Sequence, residues 1–292
     1  MPRVVSTKNY AYLKIADGCD NRCSYCLIPT IRGPYRERPI EDIIKEARNL
    51  VSLGVKEIVL ISQDTTLYGI KLYKKQLLHK LLSELAKIRD LFWIRLLYTH
   101  PAHFYDELIK EVVSNSKVCK YIDLPIQHTS NKILSLMNRK ISRKEILKLV
   151  EKLKKHDIVL RTTVMVGFPK EKEEDFKILY NDIKDIEFDW LGVFKFSKQR
   201  NTPVYKIKDE VSKEKKEERY KKIMLLQQKI TYKKNISRIG KIYPILVEDE
   251  NFGHTEFQCP EIDGKIYFLE KPANIFEKRK IKNALNVYDL LA

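Results

Sequence analysis

Short apolar runs alternate with longer amphipathic segments along most of this chain. The runs AYLKIA (11–16), EIVLIS (57–62), WIRLLY (93–98), YIDLPI (121–126), VLRTTVMVG (159–167) and WLGVFKF (190–196) are rich in β-branched and aromatic residues and read as buried strands. Between them, apolar residues recur at spacings of three and four over 40–53, 76–88, 106–113, 144–153 and 173–183, which predicts helices with one buried stripe each. Strand and helix alternating in this way give right-handed βαβ units and a parallel sheet. Six strands fall short of the eight that close a full barrel, so the predicted α/β fold is an incomplete (β/α)6 TIM-like barrel, open on one side. Its functional side chains should gather at the carboxyl ends of the strands.

The pattern changes after residue 210. Residues 211–238 are strongly basic with apolar positions at helical spacing, which predicts a connecting helix. Beyond it, short runs (YPILVED, TEFQC, GKIYFLE, KRKIKN, VYDLL) are separated by Asn-Phe-Gly, Ile-Asp-Gly and Pro-Ala-Asn turns, the pattern of a small antiparallel β-barrel. The expected organisation is therefore a partial barrel over 1–210, a basic helix over 211–238 and a β-barrel over 239–292.

Charge adds a class of partner. Lys and Arg number 56 against 39 Asp and Glu, a net charge of +17, which favours association with a polyanion such as RNA or the ribosome. A lysine-rich surface without a partner is the plain alternative. No run has the roughly 18 apolar residues of a membrane span, and MPRVVSTKNY lacks the apolar stretch of a signal peptide, so a cytoplasmic location is expected. Five cysteines, three of them within 19–26, suit metal ligation in a reducing compartment better than disulfides.

Those three stand as Gly18-Cys19-Asp20-Asn21-Arg22-Cys23-Ser24-Tyr25-Cys26, a CxxxCxxC run just after the first predicted strand. A structural zinc ion takes four protein ligands, and Cys119 and Cys259 are isolated in other predicted elements, where they read as small buried apolar residues. An iron–sulfur cube needs one ligand per iron, so three thiolates leave one iron open for an exogenous group.

The segment YAYLKIADGCDNRCSYCLIPTIRG resembles the methylthiotransferase branch of the radical SAM superfamily, and more closely its RimO type. LISQDTTLYG, WIRLLYTHP, YIDLPIQHTSNKILSLMNR and LRTTVMVGFP extend the resemblance, and the terminal barrel is similar to a TRAM domain. The resemblance implies one 4Fe-4S cluster on Cys19, Cys23 and Cys26 whose open iron binds S-adenosylmethionine (SAM). It also implies SAM contacts from Tyr25, Ser62, Gln63, Asp64, Gln127 and Arg161. Plain roles stand beside these: Tyr25 as a loop aromatic, Gln63 and Asp64 as helix caps, Arg161 paired with a structural acid, and His128 next to Gln127 as a satisfied polar residue.

The implied activity is methylthio transfer to an aspartate of small ribosomal subunit protein twelve, with the ribosomal protein or ribosome as partner and a flavodoxin or ferredoxin as electron donor. A related tRNA adenosine methylthiotransferase is the alternative, and so is a fragment that cleaves SAM without inserting sulfur. RNA contact through the basic helix and terminal barrel is a further expectation, with Tyr243, Phe252, Phe257, Tyr267 and Phe268 as stacking candidates, although alternation makes most of them core residues. The chain departs from the family in three places. The amino-terminal domain that carries a second 4Fe-4S cluster in the family is expected not to be encoded here, Lys170 follows Gly-Phe-Pro where the family tends to have glycine, and Asn201 stands in RNTP where the family tends to read EGTP. A glycine position can mark an unusual backbone angle.

Overall fold

A computed structural model describes residues 9–208 and 210–292. The described residues open with β1 (Tyr10–Lys14), β2 (Ala16–Asp17), the short helix α1 (Ile28–Arg32) and β3 (Arg36–Glu37), which pairs antiparallel with β2. Alternation follows: α2 (Ile40–Ser52), β4 (Glu57–Ile61), α3 (Leu78–Ala86), β5 (Trp93–Leu96), α4 (Asp106–Ser114), β6 (Val118–Asp123), α5 (Asn131–Leu136), α6 (Arg143–Lys154), β7 (Val159–Val166), α7 (Glu173–Ile186) and β8 (Trp190–Lys195). One sheet of six strands results, in the order β1-β4-β5-β6-β7-β8 and parallel throughout. Among the described residues β1 and β8 do not pair, so the barrel is incomplete, as the alternation predicts.

Strand side chains divide strictly by parity. Ile58, Leu60, Ile94, Leu96, Ile122 and Leu160 point outward and pack with Ile43, Ala47 and Leu50 of α2 and with the stripes of the other helices. Their neighbours Val59, Trp93, Leu97, Cys119, Tyr121 and Trp190 point inward and form a second cluster. The predicted strand 121–126 is displaced to Val118–Asp123. Pro125 cannot donate to a ladder, and Gln127 turns back at φ 66° to bridge Val164, so the chain leaves the sheet early.

Helix α8 (Lys213–Ile236) starts at Ser212, whose side chain accepts from the Lys215 amide, and its inner stripe is mostly polar. Three of its buried polar side chains each reach a partner elsewhere in the chain. Arg219 pairs with Glu171 at 2.8 Å, Gln227 donates to the Phe188 carbonyl, and Asn235 donates to the Val287 carbonyl. No described helix is long and apolar enough to cross a membrane.

The last segment forms β9 (Ile242–Val247), β10 (Phe252–His254), β11 (Ile266–Tyr267), β12 (Phe276–Lys280), β13 (Asn283–Ala284) and β14 (Leu290–Leu291), in the order β12-β9-β10-β11-β14-β13. Ile281 donates to the Lys241 carbonyl and Lys282 to that of Leu291, so the run from β12 to β13 spans both edges and closes the sheet into a small barrel. Two features correct the sequence pattern. The β11–β14 pair is parallel, because the chain returns through β12 and β13 before laying β14 down, and TEFQC (255–259) is a turn, while Phe252 and Gly253 of the expected turn belong to β10.

TEFQC leaves the ladder because its apolar members are buried elsewhere. The segment 254–263 plugs the mouth of the large barrel at the amino ends of its strands. Trp190 Nε1 donates to the Phe257 carbonyl at 2.7 Å, Tyr121 Oη to Asp263 at 2.6 Å and Tyr10 Oη to Glu261 at 2.7 Å, while Cys259 packs in the inward cluster. Cys119 and Cys259 are both buried free thiols. A buried ion network clamps the plug. Arg95 Nε lies 2.6 Å from Glu57, its other nitrogens donate to the carbonyls of Thr255 and Glu256, and His254 bridges Glu57 at 2.7 Å and Glu248 at 3.0 Å. Burial opposes charge on Glu57, but Arg95 and His254 outweigh it and hold its pKa at about 2. Burial likewise opposes the His254 imidazolium, and the Glu57 and Glu248 carboxylates more than compensate, raising its pKa.

Asp263 behaves differently. Burial lifts its pKa to about 6, although Arg161, Tyr121 and the Cys259 amide favour its charge. A carboxyl raised on folding contributes stability that is full below its unfolded pKa and is lost as pH rises through its folded value, and the raised His254 acts in the same sense at higher pH. Thermal stability is therefore expected to decline between about pH 4 and 6, and Asp263→Asn to flatten that decline. Calorimetric Tm measured against pH checks this, and a Tm that rises across the same interval would contradict it.

Candidate functional site

The three clustered cysteines lie in the loop between β2 and α1, at the carboxyl end of the first barrel strand. Gly18 starts that loop at φ 80°, and a Cβ there would overlap the Pro34 carbonyl. The Cys19 amide donates to the Gly33 carbonyl at 3.2 Å, and the Ser24 amide to that of Met137 at 3.0 Å. Ser24 Oγ donates to the Leu136 carbonyl and Asn138 Nδ2 to that of Arg22, so the end of α5 holds the loop from below. Each thiol also receives an N–H. Asn21 points its amide at Cys19 Sγ (3.5 Å), Ile28 at Cys26 Sγ (3.4 Å), and Arg139 Nη1 at Cys23 Sγ (3.6 Å).

The thiols form one wall of a cavity of about 520 Å³, whose other walls include Tyr25, Ser62, Gln63, Tyr98, His100, Gln127 and Arg139. Tyr25 stands edge-on to Phe168, with centroids 6.3 Å apart. Ser62 Oγ accepts from the Asp64 amide, and Gln63 Oε1 is buried without a partner, an acceptor left for a ligand donor. Gln127 reaches the wall through its left-handed backbone, its own N–H and carbonyl bonded to Thr163 and Met165 of β7.

Asp64 and Arg161 stand outside this cavity. Asp64 is fully buried, caps the 3₁₀ turn Thr65–Leu67, and has both oxygens engaged: Oδ1 by Thr66, Oδ2 by Asn21 Nδ2 and His103 Nδ1, each at 2.7 Å. Burial pushes its pKa up, but the His103 hydrogen bond and neighbouring charges hold it low. Its visible effect is to anchor the cysteine loop through Asn21. Arg161 pairs with Asp123 at 3.1 Å, approaches Asp263 at 3.5 Å and faces a separate recess beside Trp190. His128 is buried behind the wall, its Nδ1 accepting from the Thr129 and Ser130 amides. The terminal aromatics are mixed: Phe257 is core, while Tyr243, Phe252, Tyr267 and Phe268 are half-buried.

Residue types alone left several members of the site unread. Arg139 is one, and the pair His100 and His103, stacked at 4.6 Å, is another. Burial, followed by the charge of Arg139, lowers His100 to about 2, so it lines the cavity as a neutral imidazole. Only burial reveals these roles, since each residue lies in a loop of unremarkable spacing.

Among the described residues, the only trio of His, Cys, Asp or Glu donor atoms lying within 4.8 Å of one another is Asp64, His100 and His103. The three thiols are spread wider than ligands of one zinc ion, whose Zn–S bonds are about 2.3 Å. Wide spacing, three thiols, an N–H on every sulfur and an adjoining cavity fit an iron–sulfur cube with one open corner. Burial raises Cys19 to about 11, so its thiolate forms on metal binding rather than before it.

The two glycine departures are left-handed positions, with Lys170 at φ 65° and Asn201 at φ 64°. Asparagine tolerates that region, whereas lysine is strained there by about 1–2 kcal/mol. Lys170→Gly is therefore expected to leave stability unchanged or raise it by up to about 1 kcal/mol. Chemical denaturation checks this, and a clear loss would show that the Lys170 side chain carries a contact.

A model of the radical SAM superfamily matches residues 13–183. The ribosomal protein uS12 methylthiotransferase RimO of Acetivibrio thermocellus is 48% identical over 99% of this chain and 66% of its own length. That of Alkaliphilus oremlandii is 45% identical over 99% and 68%. The chain thus spans about two thirds of the length of the curated relatives it matches. Two solved structures share the fold at low identity. Coproporphyrinogen III oxidase of Escherichia coli, a radical SAM enzyme, has TM-score 0.53, 17% identity and covers 78% of this chain and 53% of its own. The cobalamin- and [4Fe-4S]-containing methyltransferase TsrM of Kitasatospora setae has TM-score 0.56, 17% identity and covers 67% and 38%.

Proposed function

Since this chain belongs to the radical SAM superfamily and, within it, to the RimO-type methylthiotransferases, we propose that it cleaves SAM at a cluster held by Cys19, Cys23 and Cys26, in the service of methylthiolating an aspartate of ribosomal protein uS12. The observation that carries this is the wall of three N–H-supported thiols facing a cavity large enough for a nucleotide-sized ligand. When bound, the cluster supplies the electron that splits the sulfonium bond of SAM.

The protein's own residues bind and orient. Gln63 Oε1, buried and unpartnered, is placed to accept from the amino group of SAM, with Ser62 and Gln127 beside it. Tyr25, braced by Phe168, covers the cluster side of the cavity. Asp64 acts one step removed, fixing Asn21 and hence the loop between Cys19 and Cys23. Arg161, already paired with Asp123 outside that cavity, touches a SAM carboxylate only by releasing that acid.

Sulfur insertion requires a donor that Cys119 and Cys259, buried at the plugged end of the barrel, do not supply; in this proposal a second cluster outside these 292 residues provides it. The terminal barrel is read as a TRAM-like unit that, with basic α8, contacts ribosomal RNA, and a cytoplasmic flavodoxin or ferredoxin is the electron donor. Reduced, iron-reconstituted protein given SAM is expected to release 5′-deoxyadenosine. With the sulfur donor restored, uS12 is expected to gain the mass of one methylthio group in place of hydrogen. Gain on tRNA alone would replace the substrate assignment, and no SAM cleavage would overturn the whole.

A further inference from the structure

Buried charge normally travels with a counter-charge. Arg95 has Glu57, Arg219 has Glu171, and Arg238 has Asp189. Arg139, 5% exposed, forms no ion pair with a carboxylate among the described residues. One terminal nitrogen faces Cys23 Sγ at 3.6 Å, the other donates to the Pro125 carbonyl at 2.7 Å, and Nε is buried without a partner. The Asp64 carboxylate acts on it only through space, both oxygens being taken by Thr66, Asn21 and His103. The guanidinium also lines the cavity whose wall carries the three thiols. A buried cation without a carboxylate partner is thus aimed at one of the three sulfurs of the cavity wall.

We propose that Arg139 is the fixed counter-charge of the cluster, raising its reduction potential. This rests on the assignment of the cluster to Cys19, Cys23 and Cys26. A cube with three thiolate ligands carries net negative charge that grows by one when an electron enters, and no proton accompanies it. A permanent positive charge against one thiolate, in a site shielded from water, favours the more negative state, and net charge and hydrogen bonds to sulfur are what set such potentials. Arg139 is a positioning residue in this scheme, acting on the reaction through the Cys23 sulfur. The competing role is purely structural, a tether for the Pro125 carbonyl, which a neutral donor would serve as well.

Arg139→Gln keeps a donor and removes the charge, while Arg139→Lys keeps the charge. Each full-length protein is reconstituted anaerobically, assayed for iron and sulfide, and titrated with dithionite and mediators while the reduced cluster is followed by electron paramagnetic resonance. Arg139→Lys is expected to match the parent. Arg139→Gln is expected to be at least tenfold harder to reduce, a midpoint lower by about 59 mV for one electron. If Arg139→Gln fails to load a cluster that Arg139→Lys loads, the charge is required at assembly, and the assignment stands. A loaded Arg139→Gln with an unchanged midpoint overturns it, as does Arg139→Lys losing whatever Arg139→Gln loses. A parent protein that takes up no cluster instead refutes the site, a distinct failure.

Discussion

Arg95→Met is expected to destabilise the protein by about 3–5 kcal/mol, because it strips one partner from a fully buried ion network and leaves Glu57 with His254 alone. The same change removes two donors that hold the carbonyls of Thr255 and Glu256, so the plug loosens from the barrel mouth as well. For a chain of this size the loss corresponds to a fall in Tm of roughly 10 °C. An exposed pair gives the contrast: Lys155 and Glu151 stand 2.8 Å apart in solvent, and Lys155→Met should cost less than about 1 kcal/mol. Thermal and urea unfolding of both variants test the difference. Equal effects would mean that the terminal barrel is not clamped through Arg95.

Gly18→Ala is expected to abolish cluster binding while leaving the helical barrel folded. Its φ of 80° and the Pro34 carbonyl packed against it admit no side chain, so the chain must swing and break the Cys19–Gly33 hydrogen bond. Displacing one of three ligands removes a corner of the cube, and iron content should fall at least tenfold, on the order expected when a metal site loses a ligand or its support. Iron analysis beside a circular dichroism melt separates the two effects. Full iron in the variant would show that the loop does not depend on this turn.

Much of the architecture was legible in the amino-acid pattern, for reasons the structure makes plain. Runs such as EIVLIS are buried on both faces, outward Ile58 and Leu60 against helices and inward Val59 in the barrel, so they read as continuous apolar stretches. Spacing alone marked the cysteine loop, since its chemistry is carried by consecutive residues. Three things were hidden. The inner stripe of α8 is mostly polar, with Arg219, Gln227 and Asn235 each bonded to a partner far along the chain, so periodicity undercounts its burial. TEFQC looks like a strand, but its burial comes from insertion into the other barrel, a tertiary effect with no local signature. Asp64 and Arg139 look interchangeable with other polar residues, and only their partners separate an anchor with both oxygens engaged from a cation without an acid.

Everything about the site turns on three thiolates holding a four-iron cube with one corner free for SAM. The most direct measurement is iron, sulfide and zinc per chain after anaerobic reconstitution, taken with the change in the reduced cluster's electron paramagnetic resonance signal when SAM is added. Close to one cube per chain, negligible zinc, and a signal that changes with SAM in the parent but is lost in Cys23→Ala are expected. Stoichiometric zinc, or a cluster whose signal ignores SAM, would contradict this assignment.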